Sequence, residues 1–420
     1  MFKTLAGAWK IPEIRNKILY TLLMLLVYRI GAFIPVPGVD VDYIQSQVGD
    51  YEILSFLNLF SGGSLSIMTI FALGIVPYIN ASIIMQLLTI AIPKLERMAK
   101  EGDDGRRKIA SITRYFGVIL GLVQAIGILV GMGSGALDDP SNPFNYVVII
   151  VCLTAGTALI MWIGERITEK GIGNGISLLI FISIIAGLPQ MVISIFQRVG
   201  MGDLSVWSLI ITIAAAFVIV LGITFVDLGE RRIPVQYAKR VVGRKMYGGQ
   251  STHIPMKVNQ SGVMPLIFAI TILTFPGMIA QFWPQSGFYE WYQRYMGPNT
   301  VTYVIIYGLL ILGFSYFYST ISFNPIEVSK NLQQNGGFIP GIRPGKPTSD
   351  YLAKILSRIT FFGAVFLALV AAIPTFFTVA TGVTSVFGAT SVLIMVSVAL
   401  ETTRQLEAQM MMRHYKGFLS

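Results

Sequence analysis

Reactions and coupled transport need ionisable or nucleophilic side chains within reach of one another, and this chain sets almost none where they could serve. Glu165, Asp227 and Glu401 fall at the ends of apolar runs rather than inside them. The two histidines, His253 and His414, lie in polar segments with no partner at metal-ligand spacing. Proton- or sodium-coupled transport draws on carboxylates or histidines held within the bilayer, so no coupling-ion site is expected. The serine of "GMGSG", residues 131–135, has no histidine on any apolar run to act as its base. Cys152 is the single cysteine, which rules out an internal disulfide and speaks against redox chemistry. No catalytic residue, metal ligand or cofactor is expected.

The residues left with a possible task are apolar. Isoleucine is abundant in runs loosened by Pro77, Pro265, Pro276, Pro374 and glycines. An uncharged constriction can close a channel by dewetting, although the same isoleucines would also suit an ordinary packing or lipid-facing surface. A second peculiarity is "NLFSGGSLSIMT", residues 58–69, apolar yet rich in glycine and serine. It is too short to cross a bilayer, which takes about 20 residues, but it abuts the apolar stretch "IFALGIVPYINASIIMQLL".

The elements that position these residues follow from composition. Hydrophobic residues make up 54% of 420, charged residues 12%, and mean hydropathy is +0.68, values of a polytopic membrane protein. Ten apolar runs read as spans: 18–34, 70–92, 112–132, 146–163, 172–196, 206–226, 262–282, 302–323, 359–379 and 386–400. The first run follows lysines, as a signal peptide would, but "IPVPGVD" offers no small-residue cleavage site, so it is expected to stay attached. With the N-terminus in the cytoplasm, every Lys and Arg of the 31 except Arg29, Arg198 and Arg294 falls on the cytoplasmic side. That asymmetry sets both termini inside by the positive-inside rule. Asp40, Asp42, Asp50 and Glu52 crowd the first outer loop, and the net charge of +10 is mainly a property of the inner face.

Two inner loops, roughly 227–261 and 324–357, far exceed the about 2 to 8 residues that a helix connection needs. In the first, "IPVQYA" and "HIPMKV" flank the basic turn "VVGRKMYGG", the pattern of a protruding hairpin. The second, "NLQQNGGFIPGIRPGKPTSDYLAK", is rich in Gly and Pro around Arg343 and Lys346. Solvated topology signals and docking surfaces for an acidic or RNA-bearing partner both fit these charges.

The stretches "FSGGSLSIMTIFALGIVPYINASIIMQLL", "EGDDGRRKIASITRY", "MWIGERITEKGIGNGISLLIF", "QYAKRVVGRKMYGGQSTHIPMKVNQSGVMPLIFA", "FNPIEVSKNLQQNGGFIPGIRPGKPT" and "GATSVLIM" together resemble the SecY family of bacterial protein-conducting channels. The resemblance implies an all-α membrane protein of ten helices, with residues 1–196 and 197–420 as two inverted pseudo-symmetric halves. It implies a short plug helix at Leu57, Asn58, Leu59, Phe60, Ser61, Gly62, Gly63, Ser64, Leu65, Ser66, Ile67 and Met68, where glycine suits an element that must leave its seat. A re-entrant segment that merely packs is the alternative.

By motif, the resemblance sets a pore ring at Ile79, Ile83, Ile180, Ile184, Ile267 and Ile394. Each of the first two pairs is spaced i, i+4, on one helix face, a spacing also common in packing faces. The family opens sideways between spans two and seven, with Pro77, Asn80, Pro265 and Pro276 as places for bending. Arg244, Lys245, Arg343 and Lys346 are implied to dock the SecA motor or the ribosome. The tip reads Arg-Lys where relatives often have two arginines, and lysine cannot form the bidentate fork. SecE and SecG are the implied membrane partners, secretory and membrane precursors the cargo, and the bacterial inner membrane the location. An inverted-repeat solute transporter is the alternative function, disfavoured by the missing intramembrane carboxylates.

Overall fold

The computed structural model describes residues 7–416 apart from 51–53, 55–57, 59, 140, 202–205, 238–239, 243–244, 248–250, 261, 281–282, 284–285, 298–299 and 382–388. By its contacts the chain divides into two compact units, one of Met1–Ile213, Ile270–Tyr303 and Val398–Ser420, the other of Ala214–Ala269 and Val304–Ser397. In chain order the helices are α1 (Pro12–Gly31), α2 (Val41–Asp50), α3 (Val76–Ala91), α4 (Pro93–Lys100), α5 (Asp103–Met132), α6 (Pro143–Lys170), α7 (Gly175–Gly200) and α8 (Val206–Leu228). They continue with α9 (Met264–Ala280), α10 (Gly287–Met296), α11 (Val301–Ser322), α12 (Pro325–Gln334), α13 (Lys346–Thr381) and α14 (Ala389–Lys416).

Local chemistry starts many of these helices. Proline occupies the first turn of α1, α3, α4, α6 and α12, where its missing N–H costs nothing. Asn142 and Asn324 cap α6 and α12, accepting from Phe144 N at 3.0 Å and Ile326 N at 3.1 Å. In the first unit α5 packs on α3 and α6, and α6 on α1 and α7. Glycines allow the close approaches: a Cβ on Gly121 would meet the Thr157 side chain at 3.3 Å. Ala8, Ile14, Ile172 and Leu406 form a small cluster that ties the N-terminal arm to the end of α14.

Each of the ten apolar runs coincides with a helix, but several boundaries move. The second run starts its helix at Val76 rather than Ile70, because residues 61–75 turn, with Gly74 at φ +58°. Pro77 therefore initiates α3 instead of bending it, and α3 continues without a break through Asn80; the bend, 99°, comes between α3 and α4. Pro265 likewise sits in the first turn of α9, while Pro276 lies inside it. The second inner loop is shorter than expected, since α12 and the first turns of α13 occupy much of it.

Among the described residues, Asp103–Met132, Pro143–Lys170, Val301–Gln334 and Lys346–Ile373 are long and apolar enough to cross a membrane; Val76–Ala91 with Pro93–Lys100 would be a fifth. Gly175–Pro189, Ile213–Leu228 and Met264–Gly277 are apolar but shorter. Leu19, Leu22, Leu23, Leu26 and Ile30 on α1, and Phe217, Val218, Leu221 and Phe225 on α8, are exposed. Water would penalise such contiguous apolar faces, whereas lipid accepts them. The chain is a multi-pass membrane protein.

In the second unit, β1 (Glu230–Tyr237) pairs antiparallel with β4 (Ser251–Lys257), with Ile233 opposite Ile254. Between them β2 (Arg240–Val242) and β3 (Lys245–Tyr247) form the tip, Val242 opposite Lys245. The expected hairpin is present. A pairing not legible beforehand adds β5 (Gly337–Phe338) to the other edge of β1, through Gln236 opposite Phe338.

Candidate functional site: plug segment, ring isoleucines and basic platform

All six ring candidates are buried, from Ile394 at 0% exposure to Ile79 at 6%. Ile79 and Ile83 share a face of α3, and Ile180 and Ile184 share a face of α7, in the first unit; Ile267 near the start of α9 and Ile394 on α14 belong to the second. Burial of β-branched apolar side chains at i, i+4 makes each pair a stiff ridge with no hydrogen-bonding group.

The segment after α2 is tied down by its own polar groups. Of the plug candidates, Leu57 and Leu59 lie outside the described residues. Asn58 and Phe60 are helical, whereas Ser61 to Met68 run as turns rather than a continuous helix. The cause is local: Gly62 and Gly63 adopt φ +68° and +87°, and Met68 +42°, the left-handed region that breaks a right-handed helix. Asn58 Oδ1 accepts from Ser66 N at 3.0 Å, Ser61 Oγ accepts from Leu65 N at 3.2 Å, and Ser66 Oγ donates to Gly63 O at 2.7 Å. Past the turns, Val36 N donates to Met68 O and Ile70 N to Ile34 O, closing the segment onto the chain leaving α1.

The segment packs on α7 at Ser183. A Cβ on Gly62 would stand 3.0 Å from Ser183 Cα, and Ser183 lies one turn after Ile180 and next to Ile184. Ser183 Oγ donates to Leu179 O at 2.8 Å, so the Tyr28 hydroxyl at 2.7 Å is the donor to Ser183 Oγ. Tyr28 in turn stacks on Phe71, ring centroids 5.5 Å apart. Tyr28, Ser183 and Phe71 escaped the sequence reading. Two hydroxyls inside otherwise apolar runs were the available signal.

The basic residues stand on a small α/β body. Ile233, Val235 and Met256 of the sheet pack with Leu332 of α12, Ile339, and Leu352, Ile355 and Leu356 of α13, joining both loops in one core. Ser329 Oγ donates to Gly345 O at 2.7 Å and Thr348 Oγ1 to Arg343 O at 2.8 Å, fixing the backbone under Arg343. Arg343 and Lys346 are exposed, and among the described residues neither side chain has an ion pair or hydrogen bond. Arg244 lies outside the described residues; Lys245 is on β3, with its backbone alone described.

Comparison with known proteins gives this architecture a family. A family model described as SecY matches residues 69–403. The protein translocase subunit SecY of Streptomyces coelicolor is 45% identical over 438 residues, covering 100% of both chains. That of Bacillus subtilis is 43% identical over 430 residues, again covering 100% of both. Among solved structures, one described as a protein-conducting channel superposes with a TM-score of 0.66 at 20% identity, over 94% of this chain and 92% of that one. Sec61 in the canine ribosome–channel complex gives 0.62 at 18% identity, over the same shares.

Proposed function

The chain belongs to the SecY family of protein translocase subunits, and from that premise we propose how its parts divide the work of a protein-conducting channel. The six buried isoleucines form an apolar ring around the path of an unfolded polypeptide, and the turn segment 57–68 is the plug that closes it. Spans two and seven part to release apolar helices into lipid. One observation carries this reading above a plain packing account: the plug candidate meets α7, through Gly62, at Ser183, the residue before Ile184 and one turn after Ile180.

The halves 1–196 and 197–420 are related by inversion in this reading, a symmetry that grouping by contacts does not address. Both termini face the cytoplasm of a bacterial cell, with the inner membrane as its location; the Lys and Arg distribution supports that side. SecE and SecG bind within the membrane. SecA or the ribosome docks on the platform at Arg244, Lys245, Arg343 and Lys346. The exposed side chains of Arg343 and Lys346 on an immobilised turn support the assignment, as does the description of a Sec61 relative in a ribosome complex. Energy comes from those partners, the chain itself contributing a passive, gated path.

The test is reconstitution. Vesicles carrying this chain with its membrane partners should import a signal-bearing precursor in the presence of motor and ATP. Uptake of a small solute driven by an ion gradient, with no precursor import, would return the reading to a secondary transporter.

A further inference from the structure

Asp227 sits one residue from the end of α8, three residues before β1 of the platform, and the ring and plug leave it unexplained. Its carboxylate is shared between two other elements. Oδ1 accepts from Asn259 Nδ2 at 2.7 Å, in the segment between β4 and α9. Oδ2 accepts from Ser397 Oγ at 2.5 Å, on α14. Asn259 and Ser397 are both buried, so neither can exchange this partner for water without moving. A carboxylate is the side chain that this junction calls for, because both neighbours donate and Asp offers two acceptors and no donor.

Two of the joined elements lead to the second unit's ring candidates. Ser397 lies one helical turn beyond Ile394, on the same face of α14. Asn259 stands near the start of the tether between β4 and α9, and the first turn of α9 bears Ile267. The tether is itself fixed: Val258 N donates to Gly229 O at 2.9 Å, and its carbonyl lies against Gly363 of α13, where a Cβ would come within 2.6 Å. Rotation of α14 or withdrawal of α9 at this end therefore has to break a bond to one carboxylate.

We propose that Asp227 is a positioning residue of the closed channel. Its carboxylate clasps the inner ends of α9 and α14 to α8, and thereby holds Ile267 and Ile394 in the sealing arrangement. The proposal rests on the ring reading above. With the clasp intact, opening requires the work done by a competent signal; with it released, a weaker signal suffices.

The experiment uses vesicles carrying the whole translocase, with Asp227→Asn, Ser397→Ala, the double variant, and Ile394→Asn in parallel. Two quantities are read: ion conductance of the resting channel, and import of a precursor whose signal carries a charge in its apolar core. Import of the intact precursor reports folding. Both single variants should raise import of the defective precursor several-fold, and the double variant should add nothing beyond the larger single effect, since both substitutions remove the same bond. Ser397→Ala, which deletes one oxygen, keeps the test valid if Asp227→Asn accumulates poorly. If Ile394→Asn leaks while both clasp variants stay sealed and discriminating, the clasp is wrong and the ring stands. Additive effects would equally overturn it. If Ile394→Asn is itself tight, the ring reading fails and the clasp falls with it.

Discussion

Gly62 and Ser183 are in contact without a side chain between them: a Cβ on Gly62 would come within 3.0 Å of Ser183 Cα and 3.1 Å of its carbonyl oxygen. Gly63, one residue later, has nothing within 4 Å of that position, although its φ is also positive. Alanine at either residue incurs the left-handed penalty of roughly 1–2 kcal/mol, but only at Gly62 must the seat itself give way. Gly62→Ala should therefore raise the ion conductance of the resting channel well above that of Gly63→Ala. Equal conductance in the two variants would remove the seat from the account.

Asparagine at Ile83 or Ile184 should make the resting channel leak. Each side chain is buried, at 2% exposure, and an amide there offers hydrogen bonds that stabilise water in an otherwise dewetted constriction. Single-channel recording of both variants checks this, and a conductance unchanged in both would remove them from the ring.

Removing Ser61–Ser66 should leave the bundle folded but leaky. The polar groups it deletes bond mainly within the segment itself, and the Pro35–Thr69 bridge lies outside the deletion. Normal accumulation with raised closed-state conductance is the expected result. A tight seal after deletion would mean that the segment only packs.

Charge reversal at Arg343 separates docking from topology. Lys330, Lys346, Lys354 and Arg358 remain to hold that loop on its side of the membrane, so Arg343→Glu should preserve insertion while abolishing SecA- and ATP-driven import, a like charge having replaced an attractive one. Protease mapping of the loop is run alongside, and normal import would refute the docking role.

Leu352 is fully buried where α13 meets the sheet. Truncation to alanine should cost the platform about 2–5 kcal/mol without touching any exposed cation. Partner-driven import should fall, with span orientation preserved. Import at the wild-type rate would show that the platform need not be rigid to dock.

Which segments leave water was legible in the residues alone, because transfer of apolar surface depends on residue type over a window, and the helices fall on those segments. The sequence also carried the hairpin, whose alternation with a basic turn is a local pattern, and β1 and β4 pair as that pattern requires. Relationships between residues far apart in the chain needed the fold: β5 joining β1, Gly62 on Ser183, Tyr28 donating to Ser183, and Asp227 shared by Asn259 and Ser397. The turn from Ser61 onward in the proposed plug was partly written in "SGG", but the start of α3 at Val76 was not, since 70–75 is as apolar as the helix that follows. Hydropathy cannot tell a helix from a turn when protein surrounds both; the backbone bonds of Ile70 to Ile34 and of Val36 to Met68 decide it, and those partners are named only once the chain has folded.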